Sequence, residues 1–199
     1  LRRHVEDHRV VITDVTAAEG VLAVMGPRAR DLLARVSPAD FSNAVNPFGT
    51  AQEIEIGMGL ARVHRVTYVG ELGWEVYVSS DMAAHVFGVL NEARESLGGK
   101  LCGMHMMDSC RIEKAFRHFG HDITCEDHVL EAGLGFAVSK DKTGFIGRDA
   151  VEKKRDEGLQ TRMVQFRLTD PEPLLYHNEP VLRDGEIVGY LSSGAYGHH

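Results

Sequence analysis

Tyr68-Val69-Gly70-Glu71-Leu72-Gly73-Trp74-Glu75-Val76-Tyr77-Val78 decides how this chain is read. From Trp74 onward the residues alternate. Trp74, Val76 and Val78 fall on one side, and Glu75 and Tyr77 on the other, the period-two signature of a half-buried strand. Gly70 and Gly73 mark tight turns just ahead of it. The same alternation runs through Glu53-Ile54-Glu55-Ile56 and, more loosely, from Leu60 to Tyr68, with Gly57 and Gly59 between. The stretch Ala51 to Val78 is therefore predicted to be an antiparallel meander.

Outward from the meander the pattern mixes strands and helices. Val10-Val11-Ile12-Thr13 and Val21-Leu22-Ala23-Val24-Met25 are β-branched apolar runs and read as strands. Gly26-Pro27 stops the second, and a helix follows to Val36 with Leu32, Leu33 and Val36 on its buried stripe. Asp81 to Leu97 reads as a helix capped by Asp81, its stripe formed by Ala83, Val86, Phe87, Leu90 and Ala93, and ended by Gly98-Gly99. Met104 to Arg117 reads as another, with Met107, Cys110 and Lys114 on one line and Cys110 in the core. A charged helix ends at Gly158. Thr161 to Leu168 reads as strand, and Asp184-Gly185 as the turn of a hairpin joining Pro180–Arg183 to Glu186–Tyr190. Pro171 and Pro173 mark a break. The fold class is α+β, with mixed or antiparallel sheets and packed helices, divided into residues 1–168 and a small β part at 169–199.

Composition excludes several classes. The 199 residues are 43% hydrophobic and 26% charged, which suits a folded core rather than disorder. The net charge of −7 lacks the footprint of a nucleic-acid binder. No apolar run is long enough to cross a membrane, and Leu1 to Arg9 lacks a signal-peptide core. Three cysteines, Cys102, Cys110 and Cys125, make no disulfide framework and suit a reducing compartment such as the cytoplasm. The abrupt start at Leu1 and the end at Gly197-His198-His199 suggest a piece of a longer chain.

Glu75 is the leading candidate for chemistry. A carboxylate in a strand that is apolar on its other face can accept two parallel hydrogen bonds from a flat heterocycle with adjacent N–H groups. Tyr68 can stack on such a ring or donate its hydroxyl. The alternative is an exposed carboxylate on the wet face of a hairpin. His118, His121, Cys125 and His128 form a second cluster, readable as a metal site or as a polar loop, and their spacing fits no structural zinc finger. Arg111 and Glu113 flank Ile112 on a helix. An internal salt bridge to the meander is the favoured role for this pair, with ligand contact the alternative. No nucleophile elbow, phosphate loop or dinucleotide fingerprint is present.

Several of these segments together resemble the glycine cleavage T-protein (aminomethyltransferase) family. Tyr68 to Glu75 looks like that family's Tyr-x-Gly-Glu-x-Gly-aromatic-Glu motif, and Asp108 to Lys114 like its Ser-Leu-Arg-Leu-Glu-Lys helix. Phe116 to Thr124, Leu130 to Val138 and Phe145 to Arg148 look closest to the dimethylglycine and sarcosine dehydrogenase branch. The resemblance implies the aminomethyltransferase folate-binding fold, with residues 169–199 starting a small C-terminal β-barrel domain. It implies a tetrahydrofolate site in which Glu75 grips the pterin edge and Tyr68 lines the pocket. It implies a flavin domain, carrying FAD, elsewhere in the parent chain. Flavin oxidation of an N-methyl amine would yield an iminium, whose one-carbon unit is captured as methylene-tetrahydrofolate. The family's catalytic Asp would lie upstream of Leu1, so no residue here takes that role. The family's aminomethyltransferases carry an Arg where this chain has Met106 and Met107, which favours the dehydrogenase branch. Alternatives are an aminomethyltransferase without flavin and a non-catalytic module of the same fold serving assembly. The compartment implied is cytoplasm, or mitochondrial matrix in a eukaryote.

Overall fold

A computed structural model describes residues 2–5 and 7–198, so Leu1 and His199 of the terminal reading lie outside the described residues. The chain divides into two compact units, Leu1–Gly103 and Met104–His199.

The first unit is built on four strands. These are β1 (Glu19–Met25), β2 (Ala51–Ile56), β3 (Gly59–His64) and β4 (Gly73–Ser79), antiparallel throughout in the order β1-β4-β3-β2. Helices α1 (Ala29–Val36) and α2 (Ala83–Ser96), with Phe41 from the connection after α1, supply the rest of its core. Period-two alternation decides which face they cover. Trp74, Val76 and Val78 of β4 are buried together with Ala61 and Val63 of β3, Ile54 and Ile56 of β2, Leu33 of α1, and Val86 and Leu90 of α2. Each fully buried branched side chain contributes about 1.5–3 kcal/mol. The opposite face carries Glu75, Tyr77, His64 and Arg62, all at least partly exposed.

Trp74 is the anchor of this core. Its indole N–H donates to Asn46 Oδ1 at 2.5 Å, and the Phe41 ring meets it edge-on at 5.7 Å. The guanidinium groups of Arg30 and Arg65 lie 5.8 and 5.6 Å from the indole ring. Helix α2 ends in a Schellman turn: Gly99 N–H reaches Arg94 O and Gly98 N–H reaches Glu95 O, with Gly98 at φ 71°. Arginines of the α1 region hold the same end, Arg28 donating to Leu97 O at 3.2 Å and Arg35 to the Ser96 hydroxyl.

The second unit holds α3 (Met104–Glu113), α4 (Arg148–Glu157) and the hairpin β5 (Pro180–Arg183) with β6 (Glu186–Tyr190). Asp184 and Gly185 both take positive φ at the hairpin turn, as an Asp-Gly pair does in a tight β-turn of this hand. The α+β architecture with antiparallel sheets is thus present. Among the described residues no helix is long and apolar enough to cross a membrane.

Six local expectations are corrected. Val10 to Thr13 forms no strand, and Val11 is 90% exposed. Strand preference needs a ladder partner, and β4 takes β1 instead. Thr161 to Leu168 is also irregular; Met163 N–H bonds Glu131 O at 2.8 Å, one bond in place of a ladder. Strand β3 stops at His64 rather than Tyr68, because Val66 N–H turns back onto His64 O. Asp81 does not cap α2. Met82 occupies that position, and the Asp81 carboxylate takes a hydrogen bond from Ser79. Phe87 is 43% exposed rather than on the buried stripe. Helix α3 ends at Glu113 instead of Arg117, closed by Ala115 at φ 54° with Ala115 N–H to Ile112 O and Phe116 N–H to Arg111 O.

Candidate functional site

Strand β4 presents Glu75 on the open face of the first unit's sheet. In the register of the sheet it lies opposite His64 of β3 and Ala23 of β1. Tyr77, two residues along and on the same face, donates its hydroxyl to Glu75 Oε2 at 2.7 Å. Arg62 pairs with Tyr77 across the strands and holds its guanidinium 5.3 Å from the centre of the phenol ring. The His64 ring packs 4.7 Å from the same phenol and accepts from Arg62 Nε at 3.1 Å. Arg62 in turn reaches Glu19 of β1 at 3.3 Å. The result is a connected polar row across three strands, from Glu19 through Arg62 and the Tyr77 phenol to Glu75.

The hydrogen bond to Glu75 raises the Tyr77 hydroxyl above its ordinary pKa. Burial, the Glu75 charge and the Glu19 charge act in the same direction, and Arg62 opposes them. The phenol therefore keeps its proton and stays a donor. Chemically this leaves an oriented carboxylate on a sheet face, suited to a flat ligand edge that donates hydrogen bonds.

Tyr68 is half-buried in the connection between β3 and β4. It shares the first unit with Glu75. Sequence reasoning placed Tyr77 beside Glu75 but assigned it nothing, and it passed over Arg62, His64 and Glu19. The i, i+2 spacing of Arg62 and His64 was a visible signal, but its meaning depends on the register of β3 against β4.

The second unit does not gather the His–Cys cluster into a ligand set. The rings of His118 and His121 lie tilted at 5.8 Å, and those of His121 and His177 meet edge-on at 5.9 Å. Cys125 is exposed, and His128 Nδ1 accepts from Leu130 N–H at 3.2 Å. Among the described residues no group of three or more His, Cys, Asp or Glu is arranged to hold a metal ion.

Arg111, only 2% exposed, is the sole buried residue of α3. Its ion pairs are with Asp108 at 3.1 Å and with the buried carboxylate of Asp122, correcting the expected bridge to the meander. Cys110, expected in the core, is only half-buried. Arg111 also donates to Phe116 O at 3.2 Å and Ser193 Oγ at 2.8 Å. A buried guanidinium has five N–H groups to satisfy, and four hydrogen bonds, to Asp108, Phe116 O, Asp122 and Ser193, occupy it. Burial pushes the Asp122 carboxyl up. Hydrogen bonds from Ser193, His118 N–H and Ser192, with the Arg111 charge, hold it below its ordinary 3.8. A cleft of ≈ 1230 Å³ runs through this unit past Arg111, Arg117 and His128. Neither Tyr68 nor Glu75 lines it, and Arg117 is already bonded to Ala132 O and Ala115 O.

Two family descriptions match the chain: GCVT N-terminal domain over residues 1–142, and glycine cleavage T-protein C-terminal barrel domain over residues 161–199. Three relatives are informative. The 4-methylaminobutanoate oxidase (formaldehyde-forming) of Paenarthrobacter nicotinovorans is 44% identical over 199 residues, 100% of this chain and 24% of that protein. The mitochondrial sarcosine dehydrogenase of Mus musculus is 34% identical over 193 residues, 96% of this chain and 21% of that protein. The aminomethyltransferase of Halothermothrix orenii is 34% identical over 194 residues, 95% of this chain and 52% of that protein. The chain thus spans about a quarter of the length of the two oxidising enzymes and about half that of the transferase.

Proposed function

From a chain that belongs to the glycine cleavage T-protein family, we propose a reduced-folate-binding domain of a demethylating N-methyl amine dehydrogenase, with Glu75 gripping the pterin edge. The observation that carries this reading is the carboxylate of Glu75 on an open sheet face, already held at Oε2 by Tyr77. An ionised carboxylate has about four lone-pair sites, so the remaining ones are available to a ring N–H and an adjacent amino group. Tyr68 supplies an aromatic surface in the same unit. These residue types fit tetrahydrofolate. When bound, it supplies the nitrogens that take up a one-carbon unit as methylene-tetrahydrofolate. The part of Glu75 is to bind and orient that ring.

The oxidising half of the reaction is proposed to belong to a flavin domain carrying FAD, as partner to this one. These 199 residues contain no dinucleotide fingerprint that would hold FAD. The proposed substrate class is small N-methyl amines, in line with relatives named as a 4-methylaminobutanoate oxidase and a sarcosine dehydrogenase. We keep the proposed division into residues 1–168, bearing the folate site, and 169–199, the start of the barrel.

Titration calorimetry with tetrahydrofolate tests the site. Glu75→Ala is expected to lose about 2–4 kcal/mol of binding free energy, the range for leaving ligand donors without their charged acceptor. Unchanged affinity overturns the role of Glu75.

A further inference from the structure

We infer that Tyr77 is a positioning residue of this site, acting on the ligand only through Glu75. The inference rests on the reading of Glu75 as the group that grips the ring.

A glutamate on an open sheet face has three side-chain torsions, and binding a flat ring edge requires its carboxylate to lie in the plane of that ring. Ordering such a side chain at the moment of binding weakens affinity. In this structure the ordering is already done. The Tyr77 hydroxyl holds Oε2 at 2.7 Å, and Oε1 has no hydrogen bond among the described residues. Tyr77 turns about only two torsions and is itself restrained, with Arg62 over its ring at 5.3 Å and His64 against it at 4.7 Å. Arg62 is restrained in turn by Glu19 at 3.3 Å and by His64 at 3.1 Å. The charged and titratable groups facing this pair are thus His64 and Arg62 from β3 and Glu19 from β1. An ionised carboxylate only accepts hydrogen bonds, so the ligand edge must bring donors. A phenylalanine at position 77 would keep the ring packing and lose only the hold on Oε2.

The test is a double-substitution cycle read by calorimetry, with 5-formyltetrahydrofolate as the probe, on the full chain. Tyr77→Phe is expected to weaken binding about tenfold, the effect of one charge-assisted hydrogen bond. In a Glu75→Ala background the same substitution is expected to cost nothing more, since its only route to the ligand is gone. An effect of similar size in both backgrounds overturns the inference, because Tyr77 would then touch the ligand or merely support the sheet. Wild-type affinity in Tyr77→Phe overturns it while leaving the folate reading intact. Absence of binding by the wild-type chain overturns the folate reading and this inference with it. A spectrophotometric titration needs no Tyr77 variant. Tyr77 is expected to ionise above the ordinary range in wild type and to return toward it in Glu75→Gln. Identical titrations of the two chains overturn the inference.

Discussion

The indole N–H of Trp74 donates to Asn46 Oδ1 at 2.5 Å, and both side chains are fully buried. Trp74 immediately precedes Glu75 on β4, so the bond that seats the indole in the core also sets the strand that aims Glu75 outward. Asn46 further donates to Thr50 Oγ1 at 2.9 Å and accepts from Arg65 at its backbone carbonyl at 2.7 Å.

Asn46→Ala is expected to destabilise the first unit by about 1–3 kcal/mol, because the indole N–H is left buried without an acceptor. Urea unfolding followed by fluorescence measures this directly, since Trp74 is the single tryptophan of the chain. A midpoint equal to wild type contradicts it.

Asp122→Ala is expected to cost the second unit about 3–5 kcal/mol. It strands the buried Arg111 charge and removes the acceptor for the Ser192 and Ser193 hydroxyls. Hydrogen exchange resolved by segment is the suitable measurement, with protection lost around residues 108–122 and 192–193.

The same carboxylate gives a pH dependence. The folded pKa of Asp122 is depressed below 3.8, so the stability it contributes is complete above that value. It is lost as pH falls through the depressed folded value, where the folded state also takes up the proton. Asp122→Asn is expected to be less stable at neutral pH and to show a flatter loss below 3.8 than wild type. Thermal melts across an acid series compare the two slopes.

Two helix ends offer a paired experiment. Gly98 at φ 71° and Ala115 at φ 54° occupy the same position of Schellman turns after α2 and α3. A side chain in this left-handed region costs about 1–2 kcal/mol, partly offset by the greater freedom of glycine in the unfolded chain. Ala115→Gly is therefore expected to stabilise by about 0.5–1 kcal/mol, and Gly98→Ala to destabilise by a similar amount. A Cβ at Gly98 would meet nothing within 4 Å, so backbone conformation alone is tested there. Shifts of the same sign in denaturant midpoints would contradict the assignment.

Local pattern carried the meander, the two glycine-ended turns and the Asp184-Gly185 hairpin, because strand alternation and turn chemistry are decided by neighbours in sequence. It also set Glu75 and Tyr77 on one face, since residues two apart on a strand must share it. The resemblance carried by Tyr68 to Glu75 and Asp108 to Lys114 pointed to the family without any structure. Tertiary structure alone decided the rest. Arg62 stands over Tyr77 only because β3 pairs with β4 in one register, and Asn46 finds Trp74 across 28 positions of chain. Sequence assigns Arg111 an internal bridge to the meander, yet its partners are Asp122, Ser193 and Phe116 O, which converge on it only in the folded chain. Val10 to Thr13 has strand residues and no strand, because a ladder requires a second chain segment that periodicity cannot supply.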